Sequence, residues 1–192
     1  YHYEDADFSY GLTGITDENG VRYATWSYDS SQRAISSQHA GGADATTIAY
    51  NANGTSTVTN ALGKQTVYHF TTVQGVQKIS QVEGVASANC VADDSTYGYD
   101  SNGYVNSITD REGQVTSITN NSRGLATSTT EASGTGLART TTRTWHSTYP
   151  KPTQIVAPNL TIDFTYDSAG NVQTRTETDT TSHTVPYSTN GQ

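Results

Sequence analysis

Apolar residues in this chain alternate with polar ones over short runs. Ile162, Phe164 and Tyr166 are separated by Asp163 and Thr165, and Trp26/Tyr28, Tyr68/Phe70 and Tyr97/Tyr99 follow the same period of two. That period places the apolar side chains on one face of a β-strand and Thr, Ser and charged residues on the other. No stretch sustains a helical period. Between the runs a tetrad recurs, Asp or Asn followed three residues later by Gly: Asp17–Gly20, Asn51–Gly54, Asn60–Gly63, Asp100–Gly103, Asp110–Gly113, Asn121–Gly124 and Asp167–Gly170. Weaker copies stand at Asp29–Gln32, Thr72–Gly75 and Glu131–Gly134.

The tetrad has a chemical reason. An Asp or Asn side chain at the first turn position bonds a backbone N–H two residues on. Gly at the fourth supplies positive φ and suits a type I turn closed by a bulge. Gln32 departs from this, so its turn is expected to be strained or of another type. Tyr leads into several turns, as Tyr28-Asp29, Tyr50-Asn51, Tyr99-Asp100 and Tyr166-Asp167. A second half-unit recurs as Ile15-Thr16-Asp17, Val58-Thr59-Asn60, Ile108-Thr109-Asp110 and Ile118-Thr119-Asn120. Successive turns are often about 9–12 residues apart, the spacing of short strands joined by tight turns.

Composition sharpens this. Thr occurs 34 times, Ser 20 and Tyr 13, against five Leu and no Met. Leu, Ile, Val and Phe together number 29 of 192 residues, which is few for a conventional two-layer core. Thr, Tyr and Val favour a pleated, half-buried surface, so the pattern predicts a thin all-β structure rather than a disordered tail. The net charge of −8, with ten basic residues spread over the whole length, argues against nucleic acid. No apolar run is long enough to span a membrane as a helix, and Tyr1 opens no secretion signal.

Two regions break the rhythm. Residues 84–95, with Cys90, Asp93 and Asp94, are expected to be a loop insertion. Residues 149–159, with Pro150, Pro152 and Pro158, are expected to form a bend or edge, because proline is excluded from central strands. The segment 180–192 is a polar tail. With these exceptions residues 1–192 are read as a single repeat array, its core about 8–178.

At Tyr99–Gly103, Tyr166–Asn171, Ile108–Gly113 and the stretch from Leu12 to Tyr23 the sequence resembles the Rhs or YD-repeat family. Several Tyr-Asp-x-x-Gly elements in phase with a second half-motif carry the resemblance. It implies a strip of antiparallel β-hairpins that in longer members winds into a hollow, shell-like sheet, some members enclosing a C-terminal effector. It also implies a secreted bacterial protein, extracellular or at the cell surface. No self-cleavage signature or toxin domain is recognisable. A strip of 192 residues makes only a few turns of such a wall, so an internal segment, a shorter relative or a repeating assembly is expected.

The expected function is therefore structural and not enzymatic. The residues expected to matter are the turn and ladder set: Tyr28, Asp29, Tyr50, Asn51, Gly54, Gly63, Tyr99, Asp100, Gly103, Asp110, Gly113, Tyr166, Asp167 and Gly170. The expected partners are the rest of a longer chain, neighbouring copies pairing through strand edges, and an enclosed effector. The alternative is an adhesin or fibre subunit that binds glycans, with Trp26 and Trp145 as contacts. No cofactor or metal is expected. His2, His39, His69, His146 and His183 show no ligand spacing, the turns lack the ligand order of calcium loops, no nucleophile elbow is present, and acids beside Cys90 work against a reactive thiolate.

Overall fold

A computed structural model describes residues 1–86, 92 and 94–179. Cys90 and Asp93 of the expected loop insertion, His183 and the expected polar tail lie outside the described residues. The chain divides into two compact units, Tyr1–Thr72 with Gln77–Ser95, and Val73–Val76 with Thr96–Gln192.

The first unit holds β1 (Gly14–Thr16), β2 (Arg22–Tyr28), β3 (Ala34–His39), β4 (Thr46–Tyr50), β5 (Ser56–Thr59), β6 (Gln65–Val73) and β7 (Val76–Gly84), with one 3-10 turn at Ala40–Gly42. The second holds β8 (Asp94–Tyr99), β9 (Val105–Thr109), β10 (Val115–Asn120), β11 (Ala126–Glu131), β12 (Arg139–Trp145), β13 (Pro152–Ala157), β14 (Leu160–Tyr166) and β15 (Val172–Asp179). Within each unit the strands pair antiparallel in chain order. The fold is all-β, a repetitive hairpin strip.

Register follows the alternation. Tyr50 lies opposite Ser56, which lies opposite Tyr68, and Ile48 faces Val58 in the next row. In the second unit Arg143 faces Ile155, which faces Ile162. Along β12 Thr141, Arg143 and Trp145 are half-buried while Thr140, Thr142 and Thr144 are exposed. Among the described residues the buried ones are few: Ala24, Thr13, Thr55 and the glycines Gly11, Gly14 and Gly170. One face is thus sheltered by its own neighbouring side chains, and among the described residues no closed core forms. Cross-strand pairs and the ladder hydrogen bonds carry the stability.

Residues 149–151 form a bend, but from Pro152 on the region 149–159 corrects the expectation of a bend or edge. Pro152–Ala157 is an interior strand, paired with β12 on one side and β14 on the other. Proline is tolerated because Pro152 is the strand's first residue and sits where the β12–β13 register shifts. Pro150 and Pro158 fall in the flanking turns.

The Asp29–Gln32 turn keeps the hydrogen bonds of its relatives, with Gln32 N–H donating to the Asp29 carbonyl at 2.8 Å. Gln32 stands at φ 62°, where an L side chain is strained. Gln32→Gly should therefore stabilise the chain by about 0.5 kcal/mol, the relief of left-handed strain less the extra freedom of glycine in the unfolded state. A rise in the urea midpoint checks it. Thr72–Gly75 is a different turn: Gln74 and Gly75 are both at positive φ, 51° and 78°, a two-residue hairpin of the mirror-image kind.

Candidate functional site

The turns are built alike. At Asp17, Asp29, Asn60, Asp100, Asn121 and Asp167 one side-chain oxygen accepts the N–H groups two and four residues on, at 2.8–3.1 Å. Asp110 accepts the N–H of Gln114 at 2.8 Å. The sequence pattern gives the first of these bonds but not the second, which closes the turn onto the next strand. Asn51 differs: its amide donates to the Thr55 and Thr57 hydroxyls at 2.8 and 3.0 Å. The fourth position is left-handed throughout, at Gly54, Gly63, Gly103, Gly113 and Gly170 alike.

Because strands alternate in direction, every second turn lies on the same edge of its unit. On one edge the residue just before the turn makes a recurrent tie. The Tyr28 hydroxyl donates to the Leu12 carbonyl at 2.8 Å and the Tyr50 hydroxyl to the Ala34 carbonyl at 2.9 Å. In the second unit the Asn120 amide donates to the Val105 carbonyl at 2.8 Å, the Trp145 indole N–H to Ala126 at 2.9 Å and the Tyr166 hydroxyl to Pro152 at 2.6 Å. The acceptor lies at or just before the start of the preceding strand, where the ladder has ended and a carbonyl would otherwise be orphaned. A large side chain is needed to cross from one strand to the next, and a polar tip is needed to end there.

Burial pushes up the phenols of Tyr99, which also neighbours Tyr97, and of Tyr166. The Arg33 guanidinium bonded to Asp29 holds that carboxyl below its usual value, helped by the turn's own N–H groups. At Asp167 the Asn171 backbone N–H is the main cause, with the Asn171 amide second. A carboxyl depressed by folding stabilises fully above its unfolded value and loses that contribution as pH falls through the lower folded value. The urea midpoint should therefore drop below about pH 4, and Asp167→Asn should make the drop shallower.

Trp26 and Trp145 are not equivalent. Trp145 is committed to the Ala126 carbonyl, whereas Trp26 is half-buried on β2 opposite Ser37. A hollow of about 310 Å³ in the first unit is lined by residues including Arg33, Tyr50, Asn51 and Phe70. Its charged group is already engaged: Arg33 stacks on Tyr50, 4.0 Å from the ring centre, and pairs with Asp29 at 2.7 Å. Among the described residues no group of three or more His, Cys, Asp or Glu could hold a metal ion. No described helix is long and apolar enough to cross a membrane.

Sequence reasoning missed Asn120 and Trp145 as tie residues, although both stand immediately before a turn, in phase with the tyrosines. Of the loop between β12 and β13 it gave only a bend from Tyr149 on, and not what fastens it. There Arg123 donates to the carbonyls of His146, Ser147 and Tyr149 at 2.8, 2.7 and 2.9 Å.

The architecture has close parallels among solved structures. The crystal structure of TcdB2-TccC3-Cdc42 superposes with a TM-score of 0.64 over 89% of this chain at 15% identity. That of TcdB2-TccC3 without the hypervariable C-terminal region matches with a TM-score of 0.64 over 89% at 14% identity. Over the matched region the chain shares their fold, a strip of antiparallel β-hairpins. It spans 9% of the length of either matched chain. No family model matches the sequence, and no curated protein matches it.

Proposed function

We propose that this chain is a wall segment of a β-sheet shell, a non-catalytic scaffold of a secreted bacterial protein that encloses or displays an effector. The observation that carries this is the pairing of a strip with no closed core and a chemical tie between consecutive hairpins. A strip that buries almost nothing gains little by folding into a globule. Ties that repeat from hairpin to hairpin suit a wall extended by adding units, and the turn and ladder residues are its fasteners. The likeness of fold to the TcdB2-TccC3 shell supports the reading.

The test is electron microscopy of the native-source protein carrying this sequence, with its mass measured by light scattering. Hollow particles much heavier than the 20.5 kDa of this chain are expected. Fibres of the 20.5 kDa chain would instead make strand-edge assembly the function. Solid compact particles would overturn both.

A further inference from the structure

We propose that the loop between β12 and β13, residues 146–151, is an acid-sensitive latch held shut by neutral His146. His146 follows the tie residue Trp145, the position that Asp29, Asn51, Asn121 and Asp167 occupy after theirs. It does the work of Asp29, Asn121 and Asp167 with an imidazole: Nδ1 accepts the backbone N–H of Thr148 at 3.1 Å and of Tyr149 at 3.2 Å. The His146 N–H closes the loop on the Lys151 carbonyl at 2.9 Å, as the Asp N–H does in the regular turns. The substitution changes the response to acid. A carboxylate or amide oxygen remains an acceptor at pH 5, whereas an imidazole nitrogen that takes up a proton loses its lone pair. Protonated Nδ1 would point a donor at two donors.

Among the described residues no carboxylate pairs with the His146 ring, so only the neighbouring aromatic faces meet the cation. The rings facing His146 are Tyr149, stacked at 4.8 Å, and Tyr166, edge-on at 5.8 Å. The charged groups on the loop are Arg123, bonded to its carbonyls from the β10–β11 turn, and Lys151, which donates to the Gly170 carbonyl and lies 6.0 and 5.7 Å from the Tyr149 and Tyr166 ring centres. The carboxylate of the adjoining turn, Asp167, is bonded to its own turn's Asn171 and Ala169. His2 and His69 differ, since each faces a carboxylate, Glu4 at 3.2 Å and Glu83 at 3.1 Å. The same loop carries the three carbonyls held by Arg123 and the Tyr149 hydroxyl, which donates to the Ser168 carbonyl at 3.0 Å. Opening it therefore releases the β12–β13 turn from both neighbouring hairpins.

Amide hydrogen exchange of the full chain, corrected for intrinsic rates, tests this. Protection of Thr148 and Tyr149 should fall on the order of tenfold or more between pH 7.5 and 5.5. Arg123 and Leu125, whose N–H groups bond to Asn121, should keep theirs. His146→Asn supplies an acceptor that does not titrate, so it should stay protected at both pH values; His146→Asp is the substitute if that variant does not fold. Unchanged protection of Thr148 and Tyr149 in the wild type, or the same fall in the variant, would overturn the latch. Neither result bears on whether the longer protein is hollow.

Discussion

Gly124→Val should destabilise the chain by about 3 kcal/mol, and Gly113→Val by about 1–2 kcal/mol, although both glycines close the same kind of turn. Their backbones are alike, φ 75° and 77°. A side chain at either position is strained by the left-handed conformation alone. The two sites differ in what the added carbon meets. At Gly113 nothing lies within 4 Å, whereas at Gly124 the Tyr104 ring lies 2.5 Å away. Tyr104 is half-buried and follows the turn of the neighbouring hairpin, so displacing it disturbs two hairpins. Urea denaturation of the two variants separates the terms. Equal losses would show that the ring yields freely, and no loss in Gly113→Val would remove the strain argument itself.

Trp145→Ala should cost about 3 kcal/mol, and Trp145→Phe about 1–1.5 kcal/mol. The first removes a large half-buried ring and its hydrogen bond. The second keeps most of the ring but leaves the Ala126 carbonyl without its indole donor. Tyr166→Phe should resemble Trp145→Phe, because its hydroxyl does the same for Pro152. This bears on the glycan reading. Loss of sugar binding in Trp145→Ala would not identify a contact, since the substitution breaks a tie, so Trp26 is the cleaner probe. A full-strength denaturation midpoint in Trp145→Ala would show that the tie contributes nothing.

Much of this architecture is legible in the sequence because it is local. Period-two alternation, Asp or Asn at the head of a turn and Gly at its foot act within a few residues, and they locate most of the strands. Pro152 misled because its effect depends on place. At the first position of a strand, beside a register shift, its missing N–H removes nothing from the ladder. The ties were hidden for another reason. Tyr50 and Ala34 are 16 residues apart, and only the register of β4 against β3 across the intervening turn brings hydroxyl to carbonyl. Trp145 and Asn120 show the difficulty best, since three unlike side chains share one role and only their phase unites them. His146 was dismissed for want of metal spacing, yet its role comes from standing where a carboxylate usually does.

The ties also give the strip a direction. Each donor reaches back toward the start of the chain, never forward, so a hairpin leans on the one made before it, as roof tiles overlap their lower neighbours. A chain emerging from its amino end therefore always finds the acceptor already in place. Such a strip is suited to being laid in one sense.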